Sequence, residues 1–403
     1  MTQDKFPGIP EKILDSAVRA LVKWNGSSVT LDDCIETIRN EKAAVSILFL
    51  YFRHKSLIDN LIQNAASRGS VKSPLREIAA CTLSQVLFQT GISRQSAVNI
   101  AVDYAKKKNP RLGGFMNALL RAALRNAGDG PFQPDFPELL SDRWVRSFGK
   151  EKAETAVSAC GTNPPMNFRV RDESLPPDGS VPVETGFPFR FFSHETPSAV
   201  LNSELFRRGT CYIQDPATAW SISLCGELPE NAEILDSCSA PGGKTVMLSD
   251  RYPNARITAA DRSEKRLFRM RENFSRLGLS VNTVCADALH PPFKKESFDL
   301  VFIDAPCTNT GVIRRRPDAA WRFSLKRLAE TAELQKRILS ALAPLVRSGG
   351  VLLYSTCSVE DEEDSGQVED FLREHPEFQL EESGVLLPDS AHDGAFAARL
   401  RKR

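Results

Sequence analysis

The chain has 403 residues, 41% of them apolar and 26% charged, which describes a soluble globular protein of two or three domains. Its longest apolar run, 43–52, is too short to cross a bilayer, and the N-terminal stretch MTQDKFPGIPEK has no apolar core of a signal peptide, so a cytoplasmic protein with no membrane contact is expected. Nine cysteines without any Cys-x-x-Cys pair, and five scattered histidines, exclude a disulfide framework and a zinc site; no metal is expected. The net charge of +1 is uneven: residues 1–145 hold 19 Lys and Arg against 14 Asp and Glu, which leaves about −4 on the rest. On charge alone, a polyanionic partner and an ordinary solvated helical surface are equally good explanations of that basic third.

Residues 11–126 read as helices throughout. Ile13, Leu14, Val18, Leu21 and Val22 recur at helical spacing over 11–24, and Leu75, Ile78, Ala79, Leu83, Val86 and Leu87 do so over 75–90. Ser73 is the expected N-cap of that second helix, with Pro74 at its first position and Gly91 just past its end. Cys81 lies on the apolar side and is expected to serve packing alone. Further helices are expected over 95–108 and 115–125, and no strand is evident. The run REIAACTLSQVLFQTGIS, followed by AVNIAVDYAKKK and GGFMNALLRAALR, resembles NusB-like RNA-binding domains over about the first 130 residues. That resemblance implies a basic helical surface for RNA, with Lys106, Lys107, Lys108, Arg111, Arg121 and Arg125 as candidate contacts.

A linker by composition follows at 128–137, GDGPFQPDFP. Residues 138–208, helical at first and then proline-rich, read as a small α+β connector. From 209 to 403 strands alternate with helices, implying a mainly parallel sheet covered on both faces. The strands are expected at 232–237, 256–261, 281–286, 299–304 and 350–356, with terminal pieces near 378–381 and 395–400. Helices are expected over 264–277 and 326–346. No internal repeat or low-complexity tract is present.

The first of these strands runs into Asp236-Ser237-Cys238-Ser239-Ala240-Pro241-Gly242-Gly243-Lys244-Thr245. This is a glycine turn between strand and helix, where backbone N–H groups favour a negative group. It is neither G-x-G-x-x-G nor a Walker A loop. Asp261, 25 residues after Asp236, closes the second strand at the position that bonds ribose hydroxyls in such folds; Asp287 and Asp304 close the third and fourth. Four acids at strand ends without a phosphate clamp suggest a nucleoside ligand lacking phosphates, and S-adenosylmethionine fits that description.

Two cysteines, Cys307 and Cys357, follow adjacent strands at the same sheet edge, with Asp304 close by. These groups suit methylation at C5 of cytosine, a poor nucleophile until a thiolate adds at C6. The addition needs positive charge or a proton at N3, which a carboxylic acid can donate. Three consecutive arginines, Arg314, Arg315 and Arg316, are candidate phosphate contacts beside the cleft.

The motifs SCSAPGGKT, IDAPCTNTGVIRRRPDAAWR and YSTCSVEDEE resemble the Sun/Fmu family of RNA cytosine-C5 methyltransferases over roughly 160–403. The resemblance implies a Rossmann-like class I methyltransferase domain binding S-adenosylmethionine through Cys238, Ser239, Ala240, Pro241, Gly242, Gly243, Lys244, Asp261, Arg266, Asp287 and Asp304. It implies Cys357 as the nucleophile, Cys307 as the group that promotes product release, Asp304 at cytosine N3, and Lys244 shaping the site. DNA cytosine methyltransferases instead attack from a Pro-Cys cysteine, which Pro306-Cys307 would match, so the residues alone leave the choice open. Ser239 and Arg171 depart from the family pattern, whereas Gln214-Asp215 matches its segment near the methionine end of the cofactor. With the NusB-like domain, the implied substrate is small-subunit ribosomal RNA, at cytosine 967, and a monomer is expected. Transfer RNA as substrate, and a non-catalytic ribosome-assembly factor, remain the alternatives.

Overall fold

The computed structural model describes residues 9–66, 69–128 and 130–403. The stretch MTQDKFPG, read above for targeting signals, lies outside them, as does Asp129 of the linker. The chain divides into two compact units: one runs to Leu140 and includes Arg316–Arg322, and the other comprises Ser141–Arg315 and Phe323–Arg403.

The first unit is helical, with Ile9–Asn25, Lys42–Arg53, Lys55–Ala65, Leu75–Phe88, Arg94–Lys108 and Leu112–Ala127 as its main helices. Their apolar stripes meet in one core around Leu14, Leu21, Ile47, Phe52, Ile78, Cys81 and Leu120. Helices of 11 to 17 residues are marginal alone, so this shared burial holds them. Thr30 and Asp33 form a capping box and Ser93 caps Arg94–Lys108. Ser73 does not cap Leu75–Phe88 as expected: Pro74 is the N-cap, no side chain caps the helix, and Lys72 O accepts from Arg76 N in a backbone turn. Within this unit Asp318 accepts from Leu31 N at 3.0 Å, and Trp321 Nε1 donates to Phe52 O at 2.6 Å.

The second unit holds two sheets among the described residues. The smaller contains β1 Met166–Val170, β2 Val181–Pro182, β3 Arg190–His194 and β4 Cys211–Ile213, antiparallel in the order β2-β3-β1-β4. The strand at 211–213, which the sequence reading groups with the catalytic portion, therefore belongs to the connector sheet, because its backbone pairs with Phe168–Val170. The larger sheet contains β5 Glu233–Ser237, β6 Arg256–Asp261, β7 Asn282–Cys285, β8 Phe298–Asp304, β9 Val346–Thr356, β10 Phe378–Leu386 and β11 Ala395–Lys402. Its order is β10-β11-β9-β8-β5-β6-β7, parallel from β9 to β7 and antiparallel across β9, β11 and β10.

Leu300, Val301, Phe302 and Ile303 are all fully buried, which a strand covered on both faces requires. The strand order reverses between β5 and β8, so the loops after these two strands part there and leave a crevice at their carboxyl ends. The register aligns Ser237 with Ala260 and Ile303, and Asp304 with Ser355. Asp261 and Asp304, each one residue further along, thus reach the same end of the sheet. No helix among the described residues is long and apolar enough to cross a membrane.

Candidate active site

The loop after β5 leads directly into the helix Gly243–Arg251. Gly242 is its N-cap in a left-handed conformation at φ 97°, and a Cβ there would sit 2.7 Å from Met270 Cγ, so both backbone and packing require glycine. Cys238 is also left-handed at φ 62°, and burial, with Asp261 and Asp304 nearby, pushes its thiol up to about 12. Ser239 N and Oγ both donate to Ala260 O, at 2.9 and 3.1 Å, which ties the loop to β6.

Asp261 is 3% exposed and accepts from Ser263 N at 2.9 Å and Ala240 N at 3.3 Å. Arg266 lies 3.4 Å from it and donates to Ala240 O at 2.5 Å, so Arg266 braces the loop. Asp287 accepts from Leu289 N at 3.0 Å; that bond holds its carboxyl below the ordinary range while the side chain stays half exposed. Asp236 differs from these acids. It is fully buried, accepts from Thr245 Oγ1 at 2.5 Å, and is pushed up to about 7 by burial, so it is a buried support under the loop. The donor set, carboxylates with a glycine turn and no phosphate clamp, fits S-adenosylmethionine.

Beyond β8 and β9 the two thiols meet. Cys307 Sγ and Cys357 Sγ are 3.1 Å apart, and both cysteines are free. The bond to Cys357 and burial raise the Cys307 thiol well above its ordinary value. Lys244 Nζ donates to Asp304 Oδ1 at 2.5 Å, lies 3.4 Å from Ser355 Oγ, and sits over the Phe302 ring at 5.6 Å. Asn309, left-handed at φ 64°, accepts from Cys357 Sγ at 3.2 Å and donates to Cys307 O at 3.0 Å.

Buried carboxyls hold the thiol loops. Glu363 accepts from Thr308 N at 2.8 Å, from Thr308 Oγ1, and from Gln335 Nε2 at 3.2 Å; Asp364 accepts from Thr356 Oγ1 at 2.6 Å. Burial raises both carboxyls. Gly311 N donates to Cys357 O at 3.0 Å, and Gly394 N donates to Gly311 O at 2.7 Å. Sequence reasoning gave Asn309, Glu363, Asp364 and Asp393 no role at the site: Asn309 and Glu363 lie within the motifs, but their contacts with Cys357 and Thr308 join segments 48 and 55 residues apart. Among the described residues no group of three or more His, Cys, Asp or Glu could hold a metal ion.

The arginine run is not a unit. Arg314 is 1% exposed: its Nε lies 3.1 Å from Asp393 Oδ1, its NH1 donates to Asp389 O at 2.8 Å and Ser390 O at 3.3 Å, and its NH2 is 3.6 Å from Asp215. Arg315 bonds the same acids, Asp215 at 2.7 Å and Asp393 at 2.9 Å. The expected phosphate contact fails for Arg314, because burial spends its guanidinium on internal acceptors; Arg315 is largely committed in the same way. Arg316, half exposed, pairs with Asp32 at 3.2 Å in the helical unit. Asp215 thus serves the arginines, and Gln214 lies 3.4 Å from Arg169. Arg171, the departure from the family pattern, bonds Asp250, Gly209 O and Leu277 O. Lys106, Lys107 and Lys108 end their helix on the surface, Lys106 beside Asp103, Lys107 beside Glu11 and Lys108 over Tyr104.

A parallel sheet whose first loop is a glycine turn, with carboxylates at the following strand ends and an antiparallel edge, defines an S-adenosylmethionine-dependent methyltransferase. The family models agree: 16S rRNA methyltransferase RsmB/F matches residues 224–400, and the NusB family matches 12–125. Ribosomal RNA small subunit methyltransferase B of Escherichia fergusonii is 33% identical over 389 residues, covering 89% of each chain. The crystal structure of PH0851 superposes with a TM-score of 0.79 at 23% identity, covering all of both chains. That of NSun6 from Pyrococcus horikoshii with SFG gives 0.57 at 22%, covering 66% of this chain and 98% of the other. The chain belongs to the RsmB/F methyltransferase family, and it is an S-adenosylmethionine-dependent RNA methyltransferase with a NusB-like helical domain.

Proposed function

We propose that the protein methylates C5 of a cytosine in small-subunit ribosomal RNA, cytosine 967, through a covalent adduct between Cys357 and C6, and that it acts as a cytoplasmic monomer. The observation that carries the chemistry is the thiol pair, 3.1 Å apart, at the sheet end that also holds Asp304 and Lys244. The similarity to ribosomal RNA small subunit methyltransferase B supports small-subunit ribosomal RNA as the substrate.

S-adenosylmethionine, when bound, supplies an electrophilic methyl group; residues 238–244 with Asp261, Arg266, Asp287 and Asp304 would hold it. The Cys357 thiolate adds to C6, forming a carbon–sulfur bond and moving an electron pair to C5. Lys244 holds one oxygen of Asp304; the other oxygen faces N3 and, as the carboxylic acid, gives N3 the proton that the addition requires. After C5 has taken the methyl group, its proton leaves to a base, the C5–H electron pair restores the C5–C6 double bond, the C6–sulfur bond breaks with its pair going to the Cys357 sulfur, and N3 gives its proton back. Cys307 assists this release from beside the departing sulfur. The base must leave its stack to reach C6, so a looped or single-stranded target is expected.

The test uses methyl-labelled S-adenosylmethionine with small-subunit ribosomal RNA, transfer RNA and duplex DNA, followed by mapping of the labelled base. Label at one cytosine of the ribosomal RNA alone supports the proposal. Label in transfer RNA alone would overturn the substrate, and none in any RNA would overturn the activity. Trapping decides between the thiols: Cys307→Ala should accumulate covalent RNA adduct and Cys357→Ala should not, and the reverse pattern would exchange their roles.

A further inference from the structure

The hydrogen bonds around the thiols close a ring. Asn309 Nδ2 donates to Cys307 O at 3.0 Å. A carbonyl only accepts, so this bond fixes the amide with Oδ1 turned to Cys357 Sγ, 3.2 Å away. An amide oxygen also only accepts, so Cys357 must donate its thiol proton there. Its sulfur is then left to accept from Cys307 at 3.1 Å. A thiolate on Cys357 would face the lone pairs of Oδ1 instead.

We propose that Asn309 is a positioning residue that holds Cys357 as a protonated thiol in the RNA-free enzyme and aims its sulfur. The nucleophile is thereby kept quiet until substrate binding displaces or turns the amide. A hydrogen bond to the neutral form of an acid disfavours its ionisation. Titratable groups close to the pair include Cys307, Tyr354 on β9, and Glu363 and Asp364 after it. Burial holds both carboxyls toward their neutral forms, and Lys244 is engaged by Asp304. The left-handed backbone at φ 64° suits asparagine or glycine, so Asn309→Gly removes the amide without straining the loop.

This inference rests on Cys357 as the nucleophile, but its test needs neither RNA nor methyl transfer. The rate of Cys357 alkylation by iodoacetamide is followed against pH by peptide mapping, in the full-length wild-type protein, Asn309→Gly and Asn309→Asp. Asn309→Gly should react on the order of three- to tenfold faster at pH 7, the worth of one neutral hydrogen bond, with its profile shifted to lower pH. Asn309→Asp, which adds a negative charge to the same acceptor, should shift the profile to higher pH. A glycine profile that superposes on wild type, or an aspartate profile shifted to lower pH, would overturn the proposal. Failure of the functional reading shows separately, as absent methyl transfer by the wild-type enzyme.

Discussion

Replacing Arg314 by Met separates a buried structural arginine from an RNA contact. In the native protein two guanidinium groups, Arg314 and Arg315, face two buried carboxylates, Asp215 and Asp393. Methionine fills much of the volume but removes one positive charge and the bonds to Asp389 O and Ser390 O. One carboxylate charge is left uncompensated, which costs about 3 to 5 kcal/mol. The loss depends on pH in a definite direction. Asp393 is already pushed up to about 6 by burial and by Asp215, so its contribution to stability weakens as pH rises through that value. Without Arg314 it rises further, and the variant's deficit should be larger at pH 8 than at pH 5.5. Urea unfolding of wild type, Arg314→Met and Arg314→Lys at both pH values measures this; lysine, which keeps charge but loses the fork, should fall between the other two. RNA affinity against salt is the companion measurement, and its slope should not change in the Arg314→Met protein that remains folded. Wild-type stability together with a slope reduced by about one unit would mean that Arg314 meets a phosphate, and would refute the burial argument.

Gly311→Ala should destabilise the protein by about 1 to 3 kcal/mol and sharply lower methyl transfer, because its Cβ would lie 2.6 Å from Gly394 O and 2.9 Å from Cys357 O; thermal melting and labelled-methyl assays would detect both. Asp236→Asn keeps an acceptor for Thr245 and removes an acid pushed up to about 7. A buried acid with a raised pKa stabilises the fold at low pH and loses that contribution as pH rises, so wild type should lose roughly 2 to 3 kcal/mol more than the variant between pH 5 and pH 8 in urea titrations. Changing Lys106, Lys107 and Lys108 together to Gln should weaken binding to all RNA sequences alike and flatten the salt dependence by up to about three units, with the fold intact by circular dichroism.

Much of this protein was legible in local pattern. Helical periodicity marks the cores of Ile9–Asn25 and Leu75–Phe88, and the apolar run Leu300–Ile303 marks a buried strand, because side-chain spacing records which face meets the core. The glycine turn at Gly242 is equally local, since it follows from backbone conformation within a few residues. The two cysteines could be named as a pair because each follows a strand, and adjacent parallel strands deliver their carboxyl ends to one place.

Tertiary structure decided which charges are free and which hydrogen-bond partners meet. Three consecutive arginines look alike in sequence, yet Asp215 and Asp393, on segments far from Arg314 and Arg315, turn two of them inward while Arg316 reaches Asp32. Cys211–Ile213 joined the connector sheet for the same kind of reason: pairing with β1 is a long-range choice that three residues cannot announce. Asn309 shows it most directly. A left-handed asparagine can be guessed from a turn, but its hold on Cys357, 48 residues away, exists only once β8 and β9 lie side by side. Sequence determined what each segment is; the closing of the sheet determined which of its polar groups must satisfy one another, because burial leaves them no water to turn to.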